Sequence, residues 1–114
     1  MSDYAAVFDA LAGILRRHSQ GFMAKVDSGE HLYIEISAQD PKKKPEFFGA
    51  VQIKKSYVSY HLMPVYSDPG LLDGISAELK SRMQGKSCFN FKKVEAGLFN
   101  ELDALTKVCR KTVS

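Results

Sequence analysis

Residues 85–94 read GKSCFNFKKV, a stretch in which a glycine, a lysine, a hydroxyl and a thiol stand together. A phosphate loop needs GxxxxGK[ST] between a strand and a helix, so that successive amides and a helix N-terminus surround the phosphates. Here the order is reversed: a helical pattern ends at Gly85 and a strand pattern begins after it. Gly85 therefore reads as a helix stop, and Lys86 as a rim cation. Cys88 is the second candidate. Lys86 and Lys92 flank it and favour its thiolate, and His61 has the parity to share its face. A Cys88–His61 pair would make a thiol-dependent enzyme, but no oxyanion signature accompanies it. A small residue filling space is the plainer reading. His31, Glu35 and His61 suit a transition metal by type, yet no ligand spacing supports them, so no metal site is expected.

These side chains must be carried by folded elements. From Asp3 to His18, Tyr4, Val7, Phe8, Leu11, Ile14 and Leu15 recur at helical spacing. Ser2 or Asp3 caps its start, while Arg16, Arg17 and Gly21 suit its end. A short strand is expected from Phe22 to Val26, then a turn at residues 27–30, then the alternating strand HLYIEIS. FFGAVQIKKSYVSYHLMPV reads as a hairpin turning near Lys55. Its first strand sends Phe47, Gly49, Val51 and Ile53 to one face, and its second sends Val58, Tyr60 and Leu62. Pro64 ends that ladder because it lacks an amide. ISAELKSRMQG reads as a helix capped by Ser76 and stopped at Gly85. Ser87–Lys92 is the last strand, and Glu95–Lys111 a final helix with Leu98, Leu102, Leu105 and Cys109 in one stripe.

The expected fold is α+β: an antiparallel sheet with the N- and C-terminal helices packed on one face. They would cover Leu32, Ile34, Val51, Ile53, Val58, Leu62, Phe89 and Phe91. The chain has 114 residues with 45% hydrophobic and 25% charged side chains, enough for one core in one domain. Its net charge of +3 is modest and lacks the dense basic stripe of a nucleic-acid binder. The run Lys42–Lys44 between Pro41 and Pro45 reads as a solvated loop. No apolar run spans a bilayer, and the start has no basic n-region. Two cysteines without a CxxC spacing fit a reducing cytoplasm.

From Phe47 to Val94 the chain resembles the YdhG-like domain family of small bacterial proteins, largely of unknown function. The hairpin KKSYV, the segment MPVY, the helix LKSRM and the strand GKSCFNFKK carry the likeness, in order, over about half the chain. The resemblance implies a frataxin-like fold, with residues 1–114 as one YdhG-like domain. For one branch it also implies carriage of intracellular iron. Frataxin-type binding rests on an acidic cluster along the first helix, which here carries only Asp3 and Asp9.

Parity sends Tyr33, Phe48, Gln52, Lys54 and Tyr57 to the face opposite the helices, along with Ser59, His61, Met63, Cys88 and Asn90. An exposed sheet face usually carries threonine, lysine and glutamate, whereas this mixture is that of a binding surface. The alternative is a minor core covered by the 38–46 loop or a partner chain, so a homodimer is compatible with it. The expected function is a non-catalytic cytosolic module, without cofactor, binding a small anionic or aromatic ligand or a protein partner. Its site would be Tyr33, Gln52, Lys54, Tyr57 and His61, with Lys86 and Cys88 on the rim. The alternatives are a frataxin-like iron chaperone and a Cys88 enzyme. Neither nucleic acid nor membrane is an expected partner.

Overall fold

The computed structural model describes residues 4–36, 46–85 and 87–112. The caps expected at Ser2 or Asp3, the Lys42–Lys44 loop and Lys86 lie outside them. The chain runs α1 (Tyr4–Arg17), β1 (Met23–Asp27), β2 (His31–Ile36), β3 (Glu46–Ile53) and β4 (Val58–Leu62). It continues with α2 (Met63–Ser67), a 3₁₀ turn at Pro69–Gly74, α3 (Ala77–Lys80), β5 (Met83–Gln84), β6 (Cys88–Phe91) and α4 (Ala96–Thr112). The strands form one antiparallel sheet in the order β1-β2-β3-β4-β6-β5.

Both long helices pack on one face of this sheet, as the α+β reading requires. The stripe of α1 buries Val7, Phe8, Leu11, Ile14 and Leu15, and α4 buries Leu98, Phe99, Leu102, Leu105 and Cys109. Beneath them lie Leu32, Ile34, Val51, Val58, Tyr60, Leu62, Phe89 and Phe91, all buried, with Ile53 only partly so. Phe91 meets Phe99 edge to face, with centroids 4.9 Å apart. Burying a hydroxyl requires a partner, and the Tyr60 hydroxyl finds one at Thr106 Oγ1, 2.6 Å away. Ser76 caps α3 through the amide of Leu79 and is itself bound by the Glu101 carboxylate on α4.

Three local expectations are corrected. Phe47 and Phe48 exchange faces, because Ile34 pairs with Gly49 while the next residue, Glu35, pairs with Phe47. Phe48 is the extra residue of a β-bulge, which breaks strict alternation. It therefore turns with Gly49 toward α1, fully buried and edge-on to Phe22. Met63 is no strand residue on the open face: the ladder stops at Leu62, and Met63–Ser67 is a helical turn with Pro64 in its first turn, where a missing amide costs nothing. The helix expected up to Gly85 ends at Lys80. Met83 and Gln84 instead pair with Phe89 and Cys88, so Gly85, at φ 82°, serves a hairpin turn rather than a helix stop.

Candidate functional site

The sheet face away from the helices holds a cavity of about 510 Å³. Strand register fixes its floor. His31 stands opposite Gln52, Gln52 opposite Ser59, and Ser59 opposite Asn90. A row of polar side chains thus crosses four strands. In the neighbouring row Tyr33, Ala50, His61, Cys88 and Gln84 face one another in turn. Ala50, the smallest of these, leaves room above the middle of the floor. Lys54 and Tyr57 close the β3–β4 hairpin, the Lys54 amide donating to the Tyr57 carbonyl at 2.7 Å, and both side chains line that end.

The opposite wall is aromatic. Tyr33 and Phe47 stack with centroids 4.7 Å apart and planes 18° from parallel. His61 meets Phe47 edge-on at 4.8 Å, and His31 meets Tyr33 edge-on at 6.2 Å. The bulge at Phe48 is what brings Phe47 into this wall.

Two groups have perturbed acidity. Burial lowers the pKa of His61, which favours the uncharged imidazole. Its Nε2 lies 2.6 Å from Ser87 Oγ. Ser87 is only 5% exposed and does not line the cavity, so this hydrogen bond fixes the ring rather than presenting a nucleophile. Burial raises the pKa of Cys88, and the nearby Lys54 charge only partly opposes it. The expectation of a lysine-favoured thiolate is therefore corrected, because desolvation outweighs the cation. His61 and Cys88 stand directly opposite each other, but the imidazole is engaged by Ser87. The other thiol, Cys109, is buried and pushed up to about 12.

Electrostatically the cavity is one-sided. Among the described residues no aspartate or glutamate lines it. The Glu35 carboxylate lies 3.3 Å from the Lys25 ammonium. Lys54, two rows from Cys88, lines the cavity and its charge bears on the thiol. Among the described residues Lys54 has no carboxylate partner. His31, Glu35 and His61 are not gathered into one set. Among the described residues no group of three or more histidine, cysteine, aspartate or glutamate side chains could hold a metal ion.

Of the residues expected from sequence, Tyr33, Gln52, Lys54, Tyr57, His61 and Cys88 line this one cavity. Phe48 and Met63 do not, and Lys86 is outside the described residues. Sequence reasoning missed Phe47, Ala50, Gln84 and the Ser87 hydrogen bond. Ala50 was accessible, since it shares the parity of Gln52. Gln84 was hidden by the helical reading of residues 81–85. No described helix is long and apolar enough to cross a membrane. The chain matches no protein-family model, no curated protein and no solved structure.

Proposed function

We propose that this chain is a non-catalytic, cytosolic binding module of the YdhG-like type, whose open sheet face takes a small anionic or aromatic ligand. The observation that carries this reading is that Lys54, which has no carboxylate partner among the described residues, lines a cavity whose described lining holds no carboxylate. Such a cavity attracts anions and repels hard cations, whose usual ligands are carboxylate oxygens. The aromatic wall adds stacking surface. A thiol enzyme has less support, because Cys88 is held as the thiol and His61 is committed to Ser87. An iron chaperone has less support, because no group of three or more histidine, cysteine, aspartate or glutamate side chains is gathered for a metal among the described residues.

The test separates binding from folding. Lys54→Ala and Tyr57→Ala should each change urea-unfolding stability by no more than about 0.5–1 kcal/mol, while removing binding of small aromatic anions such as benzoate. If both substitutions unfold the domain, these side chains are core and the site does not exist.

A further inference from the structure

At the middle of the cavity floor the Gln52 side chain stands among the polar groups that have no partner in the described residues. The Gln52 amide is half-buried at the middle of the floor and makes no side-chain hydrogen bond among the described residues. A carboxamide shows an acceptor and two donors side by side. A benzenoid or aliphatic ligand lying over it would bury those groups unpaired, which sites built to hydrogen-bond penalise heavily. Asn90 and Gln84 are arranged differently. The Asn90 amide donates to Gln84 Oε1 at 2.6 Å, which leaves the Asn90 carbonyl and the Gln84 amino group for a ligand at the far edge. Stacked Tyr33 and Phe47 offer a flat apolar wall, and Lys54 supplies one cation.

We propose that the cavity takes a planar heterocycle with adjacent hydrogen-bond donor and acceptor, carrying one anionic group: the chemistry of a nucleoside 5′-monophosphate. The ring lies above Ala50 with its polar edge toward Gln52, in the paired donor–acceptor geometry by which glutamine meets an adenine edge. The aromatic wall contributes sequence-tolerant stacking, and the phosphate lies toward Lys54. The cavity volume suits a ligand of this size. This inference rests on the reading of the cavity as a ligand site and adds the ligand's class. A free mononucleotide is favoured over a strand, because the described lining holds a single lysine or arginine, whereas a strand needs a charged track.

Calorimetric titration of the full chain tests it, with adenosine and uridine 5′-monophosphates, benzoate, inorganic phosphate and a hexanucleotide as probes. At least one mononucleotide should bind with Kd below about 1 mM, and about tenfold tighter than benzoate or phosphate. Gln52→Leu should weaken the nucleotide about tenfold, through its unpaired polar edge, while binding benzoate no more weakly than the parent does, since the amide that a benzenoid ring leaves unpaired is gone. Ala50→Leu, which fills the floor, should weaken both. Benzoate binding as tightly as either nucleotide overturns the heterocycle assignment and leaves the anion site standing. Binding of no probe overturns both readings. A hexanucleotide bound more than about tenfold tighter than the monomers assigns the face to a strand instead. Undiminished nucleotide binding by folded Ala50→Leu places the ligand elsewhere and overturns the proposal.

Discussion

Gly49→Ala joins the packing of α1 to the geometry of the site. A methyl group built at Gly49 would lie 2.9 Å from the His61 carbonyl oxygen and 3.0 Å from Leu15 Cδ1. The second contact belongs to a side chain that can shift, but the first is backbone in the strand ladder and cannot. Replacing a strand glycine by alanine normally stabilises by about 0.5–1 kcal/mol, through lower entropy of the unfolded chain. Overpacking a filled interior costs about 1–3 kcal/mol. The balance is a net loss centred on about 1 kcal/mol, within about 0–2.5 kcal/mol, in urea unfolding. Gly97, near the start of α4, has nothing within 4 Å of the corresponding position, so Gly97→Ala should stabilise by about 0.5–1 kcal/mol and serves as the control. Because the contact is with His61 itself, the His61 ring signals should also move in Gly49→Ala spectra. A Gly49→Ala domain as stable as the parent, with unmoved His61 signals, would refute the close packing of α1 on β3.

Phe91→Ala should cost about 3–5 kcal/mol in urea unfolding, since Phe91 is buried against Phe99; a loss under about 1 kcal/mol would mean the faces are inverted. Tyr60→Phe should cost only about 0.5–1.5 kcal/mol, because Thr106 still donates to the Leu102 carbonyl; a loss beyond 3 kcal/mol, about twice that range, would count against this pairing. For His61 the folded pKa is depressed by burial, so the unfolded chain takes up the proton first as pH falls. Stability should therefore decline on acidification through the ordinary histidine range, near pH 6.5, and this component should vanish in His61→Gln. Identical pH profiles for parent and variant would contradict the assignment.

Much of the fold was legible because its signals are periodic. The helical stripes of α1 and α4 and the alternation in β2 and β4 require only one face to be apolar, and the structure places these faces as expected. What the sequence concealed are departures from period. The bulge at Phe48 depends on how β2 and β3 pair, a tertiary choice that no single strand records, and it decides which phenylalanine lines the cavity. Likewise residues 81–84 carry helix-forming types, but pairing of Met83 and Gln84 with β6 overrides that propensity. That Gln52, Lys54 and His61 share the face holding the cavity was legible from simple parity. The acidity of Cys88 was misjudged, because neighbouring lysines are visible in sequence and desolvation is not.

On the proposed function, the open sheet face, rather than any other charged surface, receives anions. A rival exists at the far ends of the long helices, where Arg17, His18 and Arg110 border a second hollow. Amide chemical-shift titration with benzoate and with adenosine 5′-monophosphate distinguishes the two directly. Saturable shifts are predicted at Gln52, Lys54, Ser59, His61 and Cys88 together, and they should be lost in Lys54→Ala. Saturable shifts confined to residues around Arg17 and Arg110, with the open face silent for both probes, would contradict the claim.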